Sequence, residues 1–240
     1  THRGGVSGLS NDTDGLGLLV AKRDGTGFSG ESWTGWSTYN GYTDSGADGL
    51  IEKGFRYYAV TIASGIVIDV YVLHMDADSN AGDIEARETQ LAQLAAYIMG
   101  TSNKRPILII GDTNCRYTRE HLQTGFIDVI NADSRFTIKD AWVEKVWNGV
   151  YPTYGADAMM WYNAPYNNNT GEVVDKIFYI NNTESSLTIE ANSYLHNTSF
   201  GVSDHYPVIV NFTITDPTAT ALTAAEKEAA NTLDDIQAGS

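Results

Sequence analysis

The chain has 240 residues, 42% of them hydrophobic and 19% charged, enough apolar material for one sizeable α/β domain with a filled core. Its formal net charge of −15 argues against a charge-driven grip on nucleic acid, which needs a basic footprint, but not against an enzyme that meets phosphate through a bound cation. No apolar run approaches the ~20 residues of a membrane span, and the single cysteine, Cys115, excludes an intrachain disulfide framework.

The chain opens at Thr1 without an initiator Met and without a charged-then-apolar leader, which reads as a start inside a longer protein. Residues 1–13 are rich in Gly, Ser, Asn and Asp and read as loop. Residues 16–20 predict a short apolar strand, followed by polar, Gly-rich sequence to Gly49. Residues 57–63 and 66–73 alternate β-branched and aromatic side chains around Ser64-Gly65, the pattern of a hairpin. The second strand runs out into His74-Met75-Asp76-Ala77-Asp78.

Residues 83–99 carry Ile84, Leu91, Leu94, Ala95 and Ile98 at helical spacing, with Asp83 as the expected N-cap and Gly100 as the stop. Arg87 on this helix is expected to make an internal ion pair. Residues 107–110 (Ile-Leu-Ile-Ile) follow Pro106 and read as a strand buried on both faces. Strand, helix, strand in that order is the grammar of an α/β sheet. A short helix is expected over 118–123, and further apolar stretches lie at 126–130 and 138–146. Residues 147–171 hold Trp147, Tyr151, Tyr154, Trp161, Tyr162 and Tyr166 but few aliphatics, a loop long enough to suggest a use. Strands over 173–180 and 207–214 close the domain, expected to span 1–215. Residues 216–240 shift to Pro, Thr and Ala and read as a linker, with 224–236 as a C-terminal helix.

The buried strand at 107–110 ends in Gly111-Asp112-Thr113-Asn114, a carboxylate and a carboxamide two residues apart. An Asx turn is the plain alternative. Two later stretches, Val174-Asp175-Lys176-Ile177-Phe178 and Ser203-Asp204-His205-Tyr206-Pro207, add polar groups at predicted strand ends. Carboxylates and a carboxamide suit a hard divalent cation, Mg²⁺ first with Mn²⁺ or Ca²⁺ as alternatives, and not zinc. Such an ion polarises a phosphoryl oxygen. His205 titrates nearest neutrality and is the natural water-activating base, with Asp175 placed to fix its tautomer. His74 reads either as a phosphate ligand or as a simple strand cap. Arg56, Lys53, Lys176, Arg116 and Arg119 are candidate phosphate contacts against the alternative of ordinary solvated charges, and Asp76 and Asp78 read as turn residues. Cys115 has no Cys-His pattern around it and reads as structural, and His2, His121 and His196 have no supporting pattern at all.

The ordered set GDTN, VDKIF and SDHYP, with LHMDAD upstream, resembles the endonuclease/exonuclease/phosphatase superfamily across residues 14–215. The resemblance implies an α/β (α+β), DNase I-like four-layer sandwich, two packed mixed β-sheets flanked by helices. It implies that Asp112 and Asn114 contact the metal and the attacked phosphate, that Asp204 is a metal-side carboxylate, that His205 is the general base oriented by Asp175, and that His74 binds the phosphate. Family members also open with a strand bearing Asn and a second strand bearing a metal-binding Glu. Neither fits before Gly15, and Glu31 and Glu52 come too late, so a missing N-terminal segment and weak Mg²⁺ binding are expected.

The function expected is Mg²⁺-dependent hydrolysis of phosphate esters, by a monomer without a stable protein partner. The acidic surface and the aromatic loop lean toward a sphingomyelinase-like or other small phosphoester substrate, such as a lipid headgroup. A DNase-like endonuclease acting on nucleic acid is the alternative, and a non-catalytic remnant of the fold used as a binding module is the second. Composition suggests a secreted, extracellular bacterial protein.

Overall fold

The computed structural model describes residues 2–3, 16–22, 25–38, 53–63, 65–157, 173–196 and 205–217. Among them run β1 (His2–Arg3), β2 (Gly17–Leu18), β3 (Gly27–Gly35), β4 (Gly54–Ala63), β5 (Ile66–His74), α1 (Ala81–Thr101), β6 (Ile107–Asp112), α2 (Asp128–Asn131), β7 (Phe136–Asp140), α3 (Ala141–Val146), β8 (Asp175–Asn182), β9 (Thr188–His196) and β10 (Val208–Thr215). Six strands form one mixed sheet in the order β3-β4-β5-β6-β8-β7, in which only β5 and β6 are parallel. A second, two-stranded antiparallel sheet joins β9 to β10. The expected two-sheet α+β architecture holds, with the larger sheet mixed.

Alternation along the strands gives the large sheet two apolar faces, since successive side chains of a strand point to opposite sides. On one side Phe55, Tyr71, Leu73, Ile107, Ile109 and Phe178 pack with Leu91, Leu94 and Ile98 of α1. On the other, Tyr58, Val60, Ile68, Val70 and Val72 pack with Leu16. The parallel β5/β6 pair requires a crossover, and α1 supplies it, burying its apolar stripe on the first face.

The cap of α1 differs from expectation. Asn80, not Asp83, is the N-cap: its side chain accepts from the backbone N–H groups of Gly82 (2.9 Å) and Asp83 (3.2 Å), while the Asp83 carboxylate accepts from the Asn80 N–H at 2.8 Å. This reciprocal capping box moves the start of the helix two residues upstream. Strand β3 lies where the polar composition predicted none. It is the sheet's edge, half-exposed and bulged between Ser29 and Ser32, so it carries no hydrophobic alternation to read. The expected helix over 118–123 is a turn. The helical turn comes later, as a wide π turn over Gln123–Ile127 that runs into α2. The expected tail helix and most of the aromatic loop, residues 158–172, lie outside the described residues.

Candidate active site

The site begins with the register of the central strands. His74 is the cross-strand partner of Asp112, and Asp112 is the partner of Asp175. The exit ends of parallel β5 and β6 and the entry end of antiparallel β8 therefore fall on one row at one edge of the sheet. Partners in a row project to the same face. Three polar side chains spread over about a hundred residues of sequence are thus neighbours by strand pairing alone.

Gly111 permits that row. Its φ is +146°, and a Cβ there would lie 2.0 Å from the Leu73 carbonyl oxygen. Any other residue would push β6 away from β5 immediately before Asp112. The strand does not stop at the glycine, as its sequence suggested, but continues through Asp112.

His205 joins the row from the segment ahead of β10. Its Nδ1 lies 2.6 Å from Asp175 Oδ2, and its Nε2 lies 3.9 Å from Asp112 Oδ2. His74 Nε2 approaches the same oxygen at 3.8 Å. In the neutral ring the carboxylate of Asp175 favours the tautomer with the proton on Nδ1, which leaves Nε2 unprotonated, 3.9 Å from Asp112 Oδ2. One ligand atom from each of Asp112, Asp175 and His205 lies within 4.8 Å of the others. Burial pushes the Asp112 carboxyl above its usual range and the Asp175 charge adds to the push, while the Asn114 N–H and His205 pull the other way. Two carboxylates and an imidazole converging with one proton-hungry acid form a donor set that fits a hard divalent cation.

Asn114 sits beside this row in the left-handed region, at φ +50°. Its backbone N–H donates to Asp112 Oδ1 at 2.8 Å, so the Asx turn considered from sequence is real. Its carboxamide nitrogen donates to the Met75 carbonyl at 3.3 Å. That carbonyl also accepts from Lys53 Nζ at 3.1 Å, and the Met75 N–H donates to the Asp112 carbonyl at 3.0 Å. The segments that leave β5 and β6 are therefore tied together immediately beyond the row.

Asp112, Asp175, His205, His74 and Asn114 are brought together, and Asp204 lies outside the described residues. Of two expected substrate contacts, Lys176 lies in the core and Arg56 in an ion pair. Lys176 follows Asp175 and so points to the opposite face. It is 2% exposed, donates to the Val173 carbonyl and rests 3.5 Å over the Tyr117 ring, beside buried Asp140. It is a core cation, out of reach of a substrate. Arg56 is paired with Glu31 at 2.5 Å and lies over the Trp33 ring. Arg87 makes the expected internal pair, with Glu120. Cys115 is buried, and burial followed by the nearby Glu120 charge pushes its thiol up to about 12, which rules out a thiolate nucleophile at neutral pH. Lys53, 5% exposed, braces the Met75 carbonyl where a phosphate contact had been weighed.

Comparison with known proteins bears on the family and the fold. The model of the Endonuclease/Exonuclease/phosphatase family 2 matches residues 10–211. Sphingomyelinase of Mycobacterium tuberculosis is 29% identical over 170 residues, covering 68% of this chain and 31% of that protein, and the Mycobacterium bovis sphingomyelinase matches equally. The chain thus spans about a third of the length of these relatives. Among solved structures, the human Nocturnin catalytic domain superposes with a TM-score of 0.52 at 17% identity, covering 80% of this chain and 62% of that one. An endonuclease/exonuclease/phosphatase from Beutenbergia cavernae also gives 0.52, at 15% identity, over 81% of this chain and 47% of that one. These likenesses show the fold.

Proposed function

Because the chain belongs to the endonuclease/exonuclease/phosphatase family, we propose that its site hydrolyses phosphodiesters with a divalent cation, Mg²⁺ first, and that its substrate is a choline-type lipid phosphodiester such as sphingomyelin. The observation that carries the reading is the contact of His205 Nδ1 with Asp175 at 2.6 Å, with Nε2 turned to the row of Asp112. A histidine fixed in that tautomer takes a proton from water through Nε2, and the Asp175 carboxylate stabilises the imidazolium formed. His74, whose Nε2 lies 3.8 Å from the same Asp112 oxygen, would donate to a non-bridging phosphate oxygen. The Asn114 carboxamide, beside Asp112, is suited to hold the phosphate against the row. A cation bound at Asp112, with Asn114 or Asp204 as further ligands, would polarise the phosphoryl oxygen and neutralise charge on the leaving oxygen, and would leave His205 free as the base.

The substrate class is supported by the mycobacterial sphingomyelinases and by charge. A formal net charge of −15 disfavours nucleic acid, whose binding relies on a basic footprint, whereas a zwitterionic headgroup carries no net repulsion. Retention of Asp112, Asp175 and His205 in contact supports an enzyme over a remnant. Such a substrate lies in membrane surfaces, and the relatives support action outside the cell. No helix among the described residues is long and apolar enough to cross a membrane.

The test is a panel of sphingomyelin, DNA, RNA and simple phosphate esters, each with Mg²⁺ and with EDTA. Turnover of sphingomyelin that EDTA abolishes and Mg²⁺ restores is expected. Preferential cleavage of DNA would transfer the reading to a nuclease, and no turnover of any ester would refute hydrolysis.

A further inference from the structure

We infer that Arg119 and Glu120, with Arg87 of α1, are positioning residues that hold the two site loops in register for catalysis; the inference rests on the hydrolase reading above. The Glu120 side chain is fully buried. Its Oε1 accepts from Arg87 Nε (3.0 Å), Arg87 Nη2 (2.8 Å) and Arg119 Nε (2.7 Å). Its Oε2 accepts from the backbone N–H of Arg116 at 2.6 Å. Arg87, equally buried, sends Nη1 to the carbonyls of Asp76 (3.0 Å) and Ala77 (2.8 Å), in the loop that follows His74. Arg119 sends Nη2 to the carbonyl of Asn114 at 2.7 Å, in the loop that follows Asp112. One carboxylate therefore ties together the exits of β5 and β6, the two strands whose last residues begin the catalytic row.

Burying such a cluster costs several kcal/mol per ion before its bonds are counted, and apolar residues of similar volume would often be no less stable. Stability alone therefore does not account for its placement. What the cluster adds is geometry. Asn114 is held at φ +50°, a left-handed conformation that asparagine tolerates better than most side chains but that still gains from fixed neighbours. Arg119 fixes the carbonyl of that same residue, and Glu120 fixes the N–H two residues on. If the clamp opens, Asn114 relaxes, its N–H leaves Asp112 Oδ1, and the carboxylate loses its aim. A displacement of about 1 Å at a reacting group can cost on the order of a hundredfold in rate.

Arg119, only partly buried, can be altered without cutting the Arg87–Glu120 pair. The expected result for Arg119→Met is a kcat on bis(p-nitrophenyl) phosphate with Mg²⁺ lower by at least about tenfold, a nearly unchanged KM and a melting temperature close to wild type. Arg119→Lys, which keeps one donor, should recover part of kcat. A purely structural role would instead lower activity only through the folded fraction, with no recovery by lysine at matched stability. Amide hydrogen exchange reads the clamp without turnover: in Arg119→Met, exchange at Asn114 and Arg116 should rise at least about tenfold while Ile109 stays protected. Unchanged exchange at these two amides overturns the inference whatever the turnover. Wild-type kcat in Arg119→Met also overturns it. A wild-type protein without Mg²⁺-dependent turnover counts against the hydrolase reading itself, and with it against any catalytic use of the clamp.

Discussion

His205 and Asp175, separated by thirty positions, meet at 2.6 Å between Nδ1 and Oδ2. The contact forms because β8 enters the large sheet at Asp175 while the segment leading to β10 of the small sheet passes over the same edge. Neither residue has this geometry from local sequence. It exists only once both sheets are in place, which makes it a property of the fold.

Asp112 and Asp175 are directly opposite partners on adjacent strands, an arrangement of like charges that costs stability. Asp112→Asn keeps the oxygen that accepts the Asn114 N–H and removes the charge. In EDTA at pH 7 this variant should melt higher than wild type, by about 2 °C or more if the relief approaches 1 kcal/mol. The sign follows from linkage. Folded Asp112 holds its proton to higher pH than an unfolded aspartate does, so metal-free wild type loses stability as pH rises from the ordinary aspartate range through the raised value. Adding Mg²⁺ should stabilise wild type and leave the variant unmoved. A variant that melts lower without metal would contradict this picture.

Gly111→Ala should destabilise the protein by about 3 kcal/mol or more, because it combines positive-φ strain with a clash against backbone. The added Cβ would meet the Leu73 carbonyl oxygen at 2.0 Å, and a carbonyl inside a sheet cannot swing aside. Urea denaturation monitored by circular dichroism measures the loss. A change under about 1 kcal/mol would mean that β5 and β6 can separate more easily than their register implies.

Lys176→Met separates a core role from a substrate role. Removing the cation takes the donor from the buried Val173 carbonyl and the nearby positive charge from buried Asp140, and an unsatisfied buried polar group costs about 1–3 kcal/mol. The prediction is a clear drop in unfolding free energy with KM unchanged. A raised KM at unchanged stability would return Lys176 to the substrate.

Cys115 should not react with Ellman's reagent at pH 8 in the native state and should titrate as one thiol in guanidinium chloride. It is fully buried, with its thiol pushed up to about 12, so neither access nor thiolate is available. Rapid native labelling would place the residue on the surface.

The site was legible where chemistry and strand ends coincide. Buried aliphatic residues leading to Gly111-Asp112, and the Asp175 and His205 segments, announced polar groups at one edge, and the structure joins them. Lys176 was misread because a residue adjacent to a site residue in a strand faces the other way, a consequence of the two-residue period that the motif alone hides. Asn80 was passed over for Asp83 because both residues of a capping box look like caps, and only the backbone tells which one precedes the helix. Strand β3 carries no apolar alternation, since this edge strand has no fully buried face and is bulged between Ser29 and Ser32. The role of Glu120 had no local signal, because its buried partner Arg87 comes from α1, thirty-three positions away, and carries the link to the loop after His74.

The most direct test of the account compares turnover of bis(p-nitrophenyl) phosphate and sphingomyelin by wild type and His205→Ala in Mg²⁺, with the fold of each checked by thermal denaturation. The account predicts at least about a hundredfold loss of kcat in His205→Ala at an unchanged melting temperature, in the range expected for removal of a positioned base. Comparable turnover in the two proteins would contradict it.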